Sequence, residues 1–244
     1  MMRRQVVALL AVAFAASCTG TDTGNPYPQR LVVDAHSSDP TTFAVTLADG
    51  GGVVAQAWLS LEHIGFVAEG DPACAAGQVG TDDALDLGVA DHAVAGPTTL
   101  DITLTAGDFC TIAVPFVAAT APLPAGAPPE LEGGSIALTG TTAAGNDFLI
   151  VSERVATITL TGPAAIALDP DTGSLFLGFD VAAWLDGLDI DGASSGGAVV
   201  IDADNNADLL ADLEDNLAAG IELYRDNDEN GAADPGDDQL AVGQ

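Results

Sequence analysis

The stretch Leu100-Asp101-Ile102-Thr103-Leu104 alternates strictly between apolar and polar side chains. A two-residue period of this kind is typical of a β-strand with one face on the core and one face in water. The longer stretch Ala57-Trp58-Leu59-Ser60-Leu61-Glu62-His63-Ile64-Gly65-Phe66 has mostly the same period, with a blurred phase. These two stretches predict strands near the middle of a β-rich chain.

Further short apolar runs flank these two stretches, with turn residues such as Asp171-Thr172-Gly173 between them. The runs are residues 31–33, 43–47, 109–117, 135–139, 148–151, 155–160 and 175–179. About ten short strands at near-regular spacing, with no helices alternating between them, predict a mainly β chain. We expect an antiparallel β-sandwich, Ig-like or related, over residues 30–180. A parallel α/β enzyme fold is excluded by the same pattern.

Residues 119–134, ATAPLPAGAPPELEGG, contain four prolines and three glycines. Such a segment either divides two sheet units or forms a long crossing loop inside one sandwich. The lack of a second strand set with its own core favours the loop.

The last quarter of the chain has a helical pattern. Val181-Ala182-Ala183-Trp184-Leu185 predicts a short helix that ends at Gly187. Residues 207–224 predict one long helix, because apolar residues follow one another at spacings of 3, 4, 4 and 3, at Leu210, Leu213, Leu217, Ile221 and Tyr224. Residues 181–244 are therefore predicted to form an acidic helical appendage. Trp58 and Trp184 are expected in the core.

The charge is strongly one-sided. There are 36 acidic residues against five arginines and no lysine, giving a net charge of -31. The absence of lysine excludes Schiff-base chemistry and lysine-dependent phosphate loops. Nucleic acid is excluded as a partner, because almost nothing here neutralises phosphates. Nineteen acidic residues lie from Asp169 onward, a crowding that water, salt or bound cations must offset.

The N-terminus has the features of an export signal. Arg3 and Arg4 precede the apolar run 6–16, so residues 1–17 are predicted to be a signal peptide. Ala15-Ala16-Ser17-Cys18 resembles a bacterial lipobox, with Ala15 where leucine is usual. The resemblance implies cleavage before Cys18 and lipidation of that cysteine, which would anchor the chain to a membrane. The alternative is an ordinary signal peptide with an incidental cysteine.

Residues 18–29 then predict a tether. Thr19 is not the aspartate of inner-membrane retention, so the lipoprotein resemblance favours the outer membrane. The two remaining cysteines, Cys74 and Cys110, are an even pair for an oxidising compartment and predict a disulfide. Two separately buried thiols are the alternative.

The strongest chemical motif is residues 226–237, DNDENGAADPGD. Oxygen-bearing side chains occupy loop positions 1, 3, 5, 9 and 12, and Gly231 occupies position 6. Calcium takes six to eight oxygen ligands, and a tight loop can supply them when alternate residues point inward. The motif resembles an EF-hand-type calcium loop, in its dockerin variant. That resemblance implies ligation by Asp226, Asp228, Asn230, Asp234 and Asp237, with the backbone carbonyl of Ala232. The competing interpretation is a solvated acidic turn.

A fainter copy places Asp202, Asp204, Asn206 and Asp208 at loop positions 1, 3, 5 and 7. It is a possible second metal loop, but the favoured interpretation is that Asp204 or Asn205 caps the following helix.

Catalytic motifs are weak. Residues 192–196 have the G-x-S-x-G spacing of hydrolases, but all three histidines (His36, His63 and His92) precede the serine, contrary to that family's chain order. The sequence therefore predicts a lipid-anchored, extracytoplasmic calcium-binding protein with a binding or structural role and an unknown protein or glycan partner, and no catalysis. The alternative is an extracytoplasmic hydrolase, or a transition-metal protein, that uses histidines and carboxylates. A third interpretation gives the acidity no specific ligand and explains it as adaptation to salt.

Overall fold

The computed structural model describes residues 26–35, 45–46, 52–71, 85–91, 98–194, 197–231 and 237–244. Two α-helices, α1 (Val181–Trp184) and α2 (Ala207–Asn216), and two 3-10 helices (Pro129–Leu131 and Ala218–Gly220) lie among them. The strands are β1 (Pro26–Asp34), β2 (Val45–Thr46), β3 (Val53–Ala68), β4 (Leu85–Asp91), β5 (Thr98–Thr105), β6 (Gly107–Phe116), β7 (Ile136–Thr141), β8 (Asp147–Ser152), β9 (Ala156–Thr161), β10 (Ile166–Leu168), β11 (Ser174–Phe179), β12 (Val199–Ile201), β13 (Ile221–Asp226) and β14 (Asp238–Gly243). The chain is mainly β, as its two-residue alternation predicted.

The strands form one hydrogen-bonded sheet. Its main path runs β12-β8-β7-β3-β6-β9-β14-β13-β11-β1-β5, while β10 pairs with β6 and both β2 and β4 pair with β3. Neighbours are antiparallel except for the parallel pairs β1–β11 and β12–β8. The sheet is therefore mixed rather than purely antiparallel, and the sandwich and Ig-like descriptions remain predictions.

Strand β3 is shared by two sections of the sheet. One of its edges pairs with β7 up to Leu59 and with β6 from Leu61 onward, while β4 lies along the other edge. Where the pairing partner of β3 changes from β7 to β6, the Ser60 N–H donates to the Ser135 carbonyl and the Ser60 carbonyl accepts from the Val117 N–H. The backbone N–H and carbonyl of Ser60 therefore stay paired at the residue where the sheet divides. One apolar cluster joins buried residues from both sections.

The proline-rich segment 119–134 connects β6 to β7, and both of these strands pair with β3. It is thus a connection within one sheet. Its Leu131 is fully buried and packs with Trp58 and Val151 in a small second cluster. Both tryptophans are buried, as expected, and the Trp184 indole N–H donates to the Leu217 carbonyl at 3.0 Å.

The predicted helix over 207–224 is wrong in its second half. Helix α2 ends at Asn216, a 3-10 turn follows, and Ile221 begins β13. The Asn216 amide donates to the carbonyls of Trp184 and Asp186, which ties the end of the helix to the α1 region. Ile221 and Leu223 are then buried by two-residue alternation rather than by helical spacing.

Strands β13 and β14 lie inside the sheet path, between β9 and β11. The segment 181–244, expected to be a helical appendage, therefore supplies central strands. The tether predicted over residues 18–29 is also too long at its C-terminal end, because β1 begins at Pro26. Tyr27 and Gln29 are already buried there, with 7% and 4% of their surface exposed.

The turn from α2 into β13 depends on Gly220. A Cβ at this position would lie 2.5 Å from the Trp184 ring and 2.8 Å from the Asp180 carbonyl oxygen. Trp184 is fully buried and cannot withdraw easily. We expect Gly220→Ala to lower the free energy of unfolding by about 1–3 kcal/mol, as overpacking of a filled core does. Urea unfolding measures this loss. Gly107→Ala is the matched control, since a Cβ there meets nothing within 4 Å, and an equal loss in both variants would contradict this explanation.

Candidate metal centre

The acidic loop 226–237 joins two neighbouring antiparallel strands. Strand β13 ends at Asp226 and β14 begins at Asp238, and their register pairs Arg225 with Asp238. Strand β13, rather than the expected helix, therefore leads directly into the loop, and the resemblance to an EF-hand loop stays a prediction. Residues 232–236, which include the predicted ligands Ala232 and Asp234, lie outside the described residues.

The base of this hairpin is held by polar side chains on one face. Tyr224 donates to a Glu222 carboxylate oxygen at 2.6 Å, and Gln239 from β14 donates to the other oxygen at 2.7 Å. Burial first, and then the hydrogen bond to Glu222, raise the pKa of Tyr224 well above its usual range. The hydroxyl therefore stays protonated and remains a donor across the physiological pH range.

Three predicted ligands come together at the loop. One carboxylate oxygen each from Asp226, Asp228 and Asp237 lies within 4.8 Å of the others. Asp226 is fully buried, Asp237 is half-buried and Asp228 is exposed. The three carboxylate oxygens therefore range from buried to exposed. They form a ligand set that suits a hard, oxygen-preferring cation.

The buried carboxylate of Asp226 is held by neutral donors. Its Oδ1 accepts from the Asn230 N–H at 3.1 Å. Its Oδ2 accepts from the Gly231 N–H at 2.9 Å and from the Ser174 hydroxyl at 2.8 Å. A guanidinium nitrogen of Arg30 in β1 lies 4.0 Å from the position of a Cβ at Gly231.

Residues 228–231 form a turn around the Asp228 carboxylate. Its Oδ1 accepts from the Asn230 backbone N–H at 3.2 Å, and its Oδ2 accepts from the Asn230 amide at 3.0 Å. Gly231 has φ of 77°, a conformation that glycine adopts at low cost. At the far end, Asp237 Oδ1 accepts from the Asn227 N–H at 2.9 Å. The predicted ligand Asn230 thus lies beside the cluster, bonded to Asp228.

The fainter acidic loop forms no such cluster. Asp202 Oδ1 accepts from the backbone N–H groups of Asp204 and Asn205 and from the Asn205 side chain. Asp204 and Asp208 do not join Asp202 in any three-residue acidic or histidine group of metal-binding size among the described residues. The cap residue of α2 is Asn206, at φ 55°, rather than Asp204 or Asn205. Among the described residues the loop is thus a turn that leads into α2, and the second metal loop stays a prediction.

Other candidates remain apart. His63 joins no metal-binding group in the described part of the chain, and His36 and His92 lie outside it. Ser194 of the G-x-S-x-G stretch donates to the Gly197 carbonyl, as a turn residue does. Cys110 is disulfide-bonded. Its predicted partner Cys74 and the predicted lipidation site Cys18 lie outside the described residues, so both assignments stay predictions.

Ser174 is a contributor that the sequence did not reveal. It begins β11, 52 residues before Asp226 in the chain. Only the register of β11 with β13, which pairs Ser174 with Asp226, indicates that Ser174 belongs to the site. No local motif could have found it.

No protein-family model, curated protein or solved structure matches this chain. Within the described ranges, none of the helices has the length and apolar character needed to cross a membrane. The geometry of the 226–237 loop is therefore the basis for the proposed function.

The Asp202 turn gives a pH-dependent prediction. Burial raises the pKa of Asp202, but the hydrogen bonds from Asn205 and Asp204 together outweigh it and lower the pKa below its ordinary value of 3.8. The stabilisation that the charged Asp202 carboxylate gives the fold is therefore complete above pH 3.8. It is lost as the pH falls through the lowered pKa of Asp202. We expect Asp202→Ala to lower the free energy of unfolding at neutral pH by about 0.5–1 kcal/mol, because these hydrogen bonds face water.

Urea unfolding at neutral pH and at about pH 2 should show this difference shrinking in acid. The matched control is Asp204→Ala in the same loop, which should change stability by less than about 0.5 kcal/mol. A loss in Asp202→Ala that persists unchanged in acid would contradict the electrostatic explanation.

Proposed function

We propose that this chain is a calcium-binding protein of the cell envelope with a binding or structural role rather than a catalytic one. The observation that carries the proposal is Asp226, a fully buried carboxylate whose three recorded donors are all neutral. Buried charges in proteins are normally paired with opposite charge or with a metal ion. A cation held between Asp226, Asp228 and Asp237 supplies that compensation.

Calcium fits this ligand set better than zinc or copper does. The converging groups are carboxylates, and hard oxygen ligands favour calcium, magnesium or manganese over zinc and copper. The loop also leaves room for flexible coordination, since Asp228 is exposed at its rim. Bound calcium would neutralise two of the charges in the most acidic part of the chain, which favours the compact state.

The location is proposed from the N-terminal sequence. The basic start, the apolar run and Cys18 support export and lipid anchoring, with the outer membrane as the favoured site. A membrane contact through the lipid follows from that location, and the further partner is proposed to be an unidentified protein or glycan. Extracellular calcium modules bind with Kd values of about 10⁻⁴–10⁻³ M, a range suited to an ion that is structural and abundant outside the cytoplasm.

The first test is thermal unfolding with calcium and with chelator. At a Kd of about 10⁻⁴ M, about 1 mM calcium should stabilise the fold by about 1.4 kcal/mol. We expect Asp228→Asn to abolish most of this difference while keeping the fold, because the side chain is exposed and an asparagine oxygen can still accept from the Asn230 N–H. Asp212→Asn is the matched control, since it removes one exposed charge from α2, outside the loop.

Sodium chloride at the ionic strength of the calcium sample separates site binding from screening. Equal stabilisation by both salts would refute a specific site and would leave the acidity as an adaptation to salt. An unchanged melting temperature in chelator would also count against the proposal.

A further inference from the structure

The clearest long-range contact to the candidate site comes from β11. Ser174 is buried, with 2% of its surface exposed, and its hydroxyl lies 2.8 Å from Asp226 Oδ2. The Asp226 side chain is itself fully buried. The two residues are cross-strand partners at one end of the β11–β13 pair, so the contact is built into the sheet rather than into the loop.

The hydrogen bonds to Asp226 determine which of its oxygens is available. A carboxylate oxygen has two lone-pair positions. On Oδ2, one is taken by Ser174 and the other by the Gly231 N–H. On Oδ1, the Asn230 N–H takes one, and no other residue in the described part of the chain donates to it. Asp226 can therefore offer a cation one oxygen, Oδ1, and bind it in a monodentate manner.

We propose that Ser174 is a positioning residue that fixes Asp226 as a monodentate calcium ligand. This inference rests on the proposed calcium function and adds to it a residue outside the loop motif. Partners that orient metal ligands commonly change metal affinity by about 10–100-fold when they are removed. Without the hydroxyl, Asp226 keeps its charge but loses one of the three contacts that fix its rotation, the one that ties it to β11.

The test is calorimetric titration of the purified full-length chain with calcium chloride. We expect Ser174→Ala to raise the calcium Kd by about 10–100-fold. Ser174→Thr keeps the hydroxyl and should retain most of the wild-type affinity. The matched control is Ser152→Ala, because Ser152 is a fully buried serine that donates to a Glu214 carboxylate at 2.6 Å outside the loop. That variant should lose stability and keep the wild-type Kd.

The melting temperature in chelator separates positioning from simple structural damage. A positioning role shrinks the calcium-induced rise in melting temperature, whereas general destabilisation lowers both melts together. Wild-type affinity in Ser174→Ala would overturn the proposal and leave the calcium function intact, as would an equal affinity loss in Ser174→Thr. No calcium binding by the wild-type chain would overturn the calcium function itself, and this proposal with it.

Discussion

The structure around the loop is constrained by a negative charge at the end of a central strand. Strand β13 lies between β14 and β11, and its last residue, Asp226, has no exposed surface. A carboxylate in this position loses its hydration, and hydrogen bonds from neutral groups restore only part of the lost free energy. The turn at Asn230 and Gly231, the serine of β11 and the approach of Asp228 and Asp237 are all arranged around that charge.

This local arrangement fits the composition of the whole chain. A protein with 36 acidic residues and five arginines cannot pair most of its carboxylates with its own side chains. On the surface, water and salt screen the excess charge at little cost. In the interior they cannot, so a buried carboxylate needs a cation or donors from the backbone. Asp226 is held by two backbone N–H groups and the Ser174 hydroxyl, whereas the Asp202 turn, which faces solvent, uses backbone and amide donors alone.

The sequence predicted those features that depend on local periodicity. The alternation at residues 100–104 identified β5, and the loop spacing identified three carboxylates that do converge. The helix prediction failed at Ile221. Apolar residues at 217, 221 and 224 have helical spacing, while those at 221 and 223 have the two-residue spacing of a strand. Gly220, a common helix stop, was the signal that would have resolved this ambiguity. Strands of three residues, β10 and β12, are too short to show any period. Ser174 depends on strand register, which a single sequence does not contain.

The position of β1 links the candidate site to the proposed membrane anchor. Gln29 donates to the Gly173 carbonyl beside Ser174, and Val32 lies 3.8 Å from the Cβ position of Gly231. The loop therefore lies at the end of the sheet where β1 begins. If Cys18 carries lipid, the eight residues from there to Pro26 (26 minus 18) span at most about 28 Å. The metal loop would then be held near the bilayer, whose anionic headgroups concentrate cations and repel carboxylates. On that proposal, a divalent cation in the loop would reduce the repulsion between the acidic chain and the headgroups.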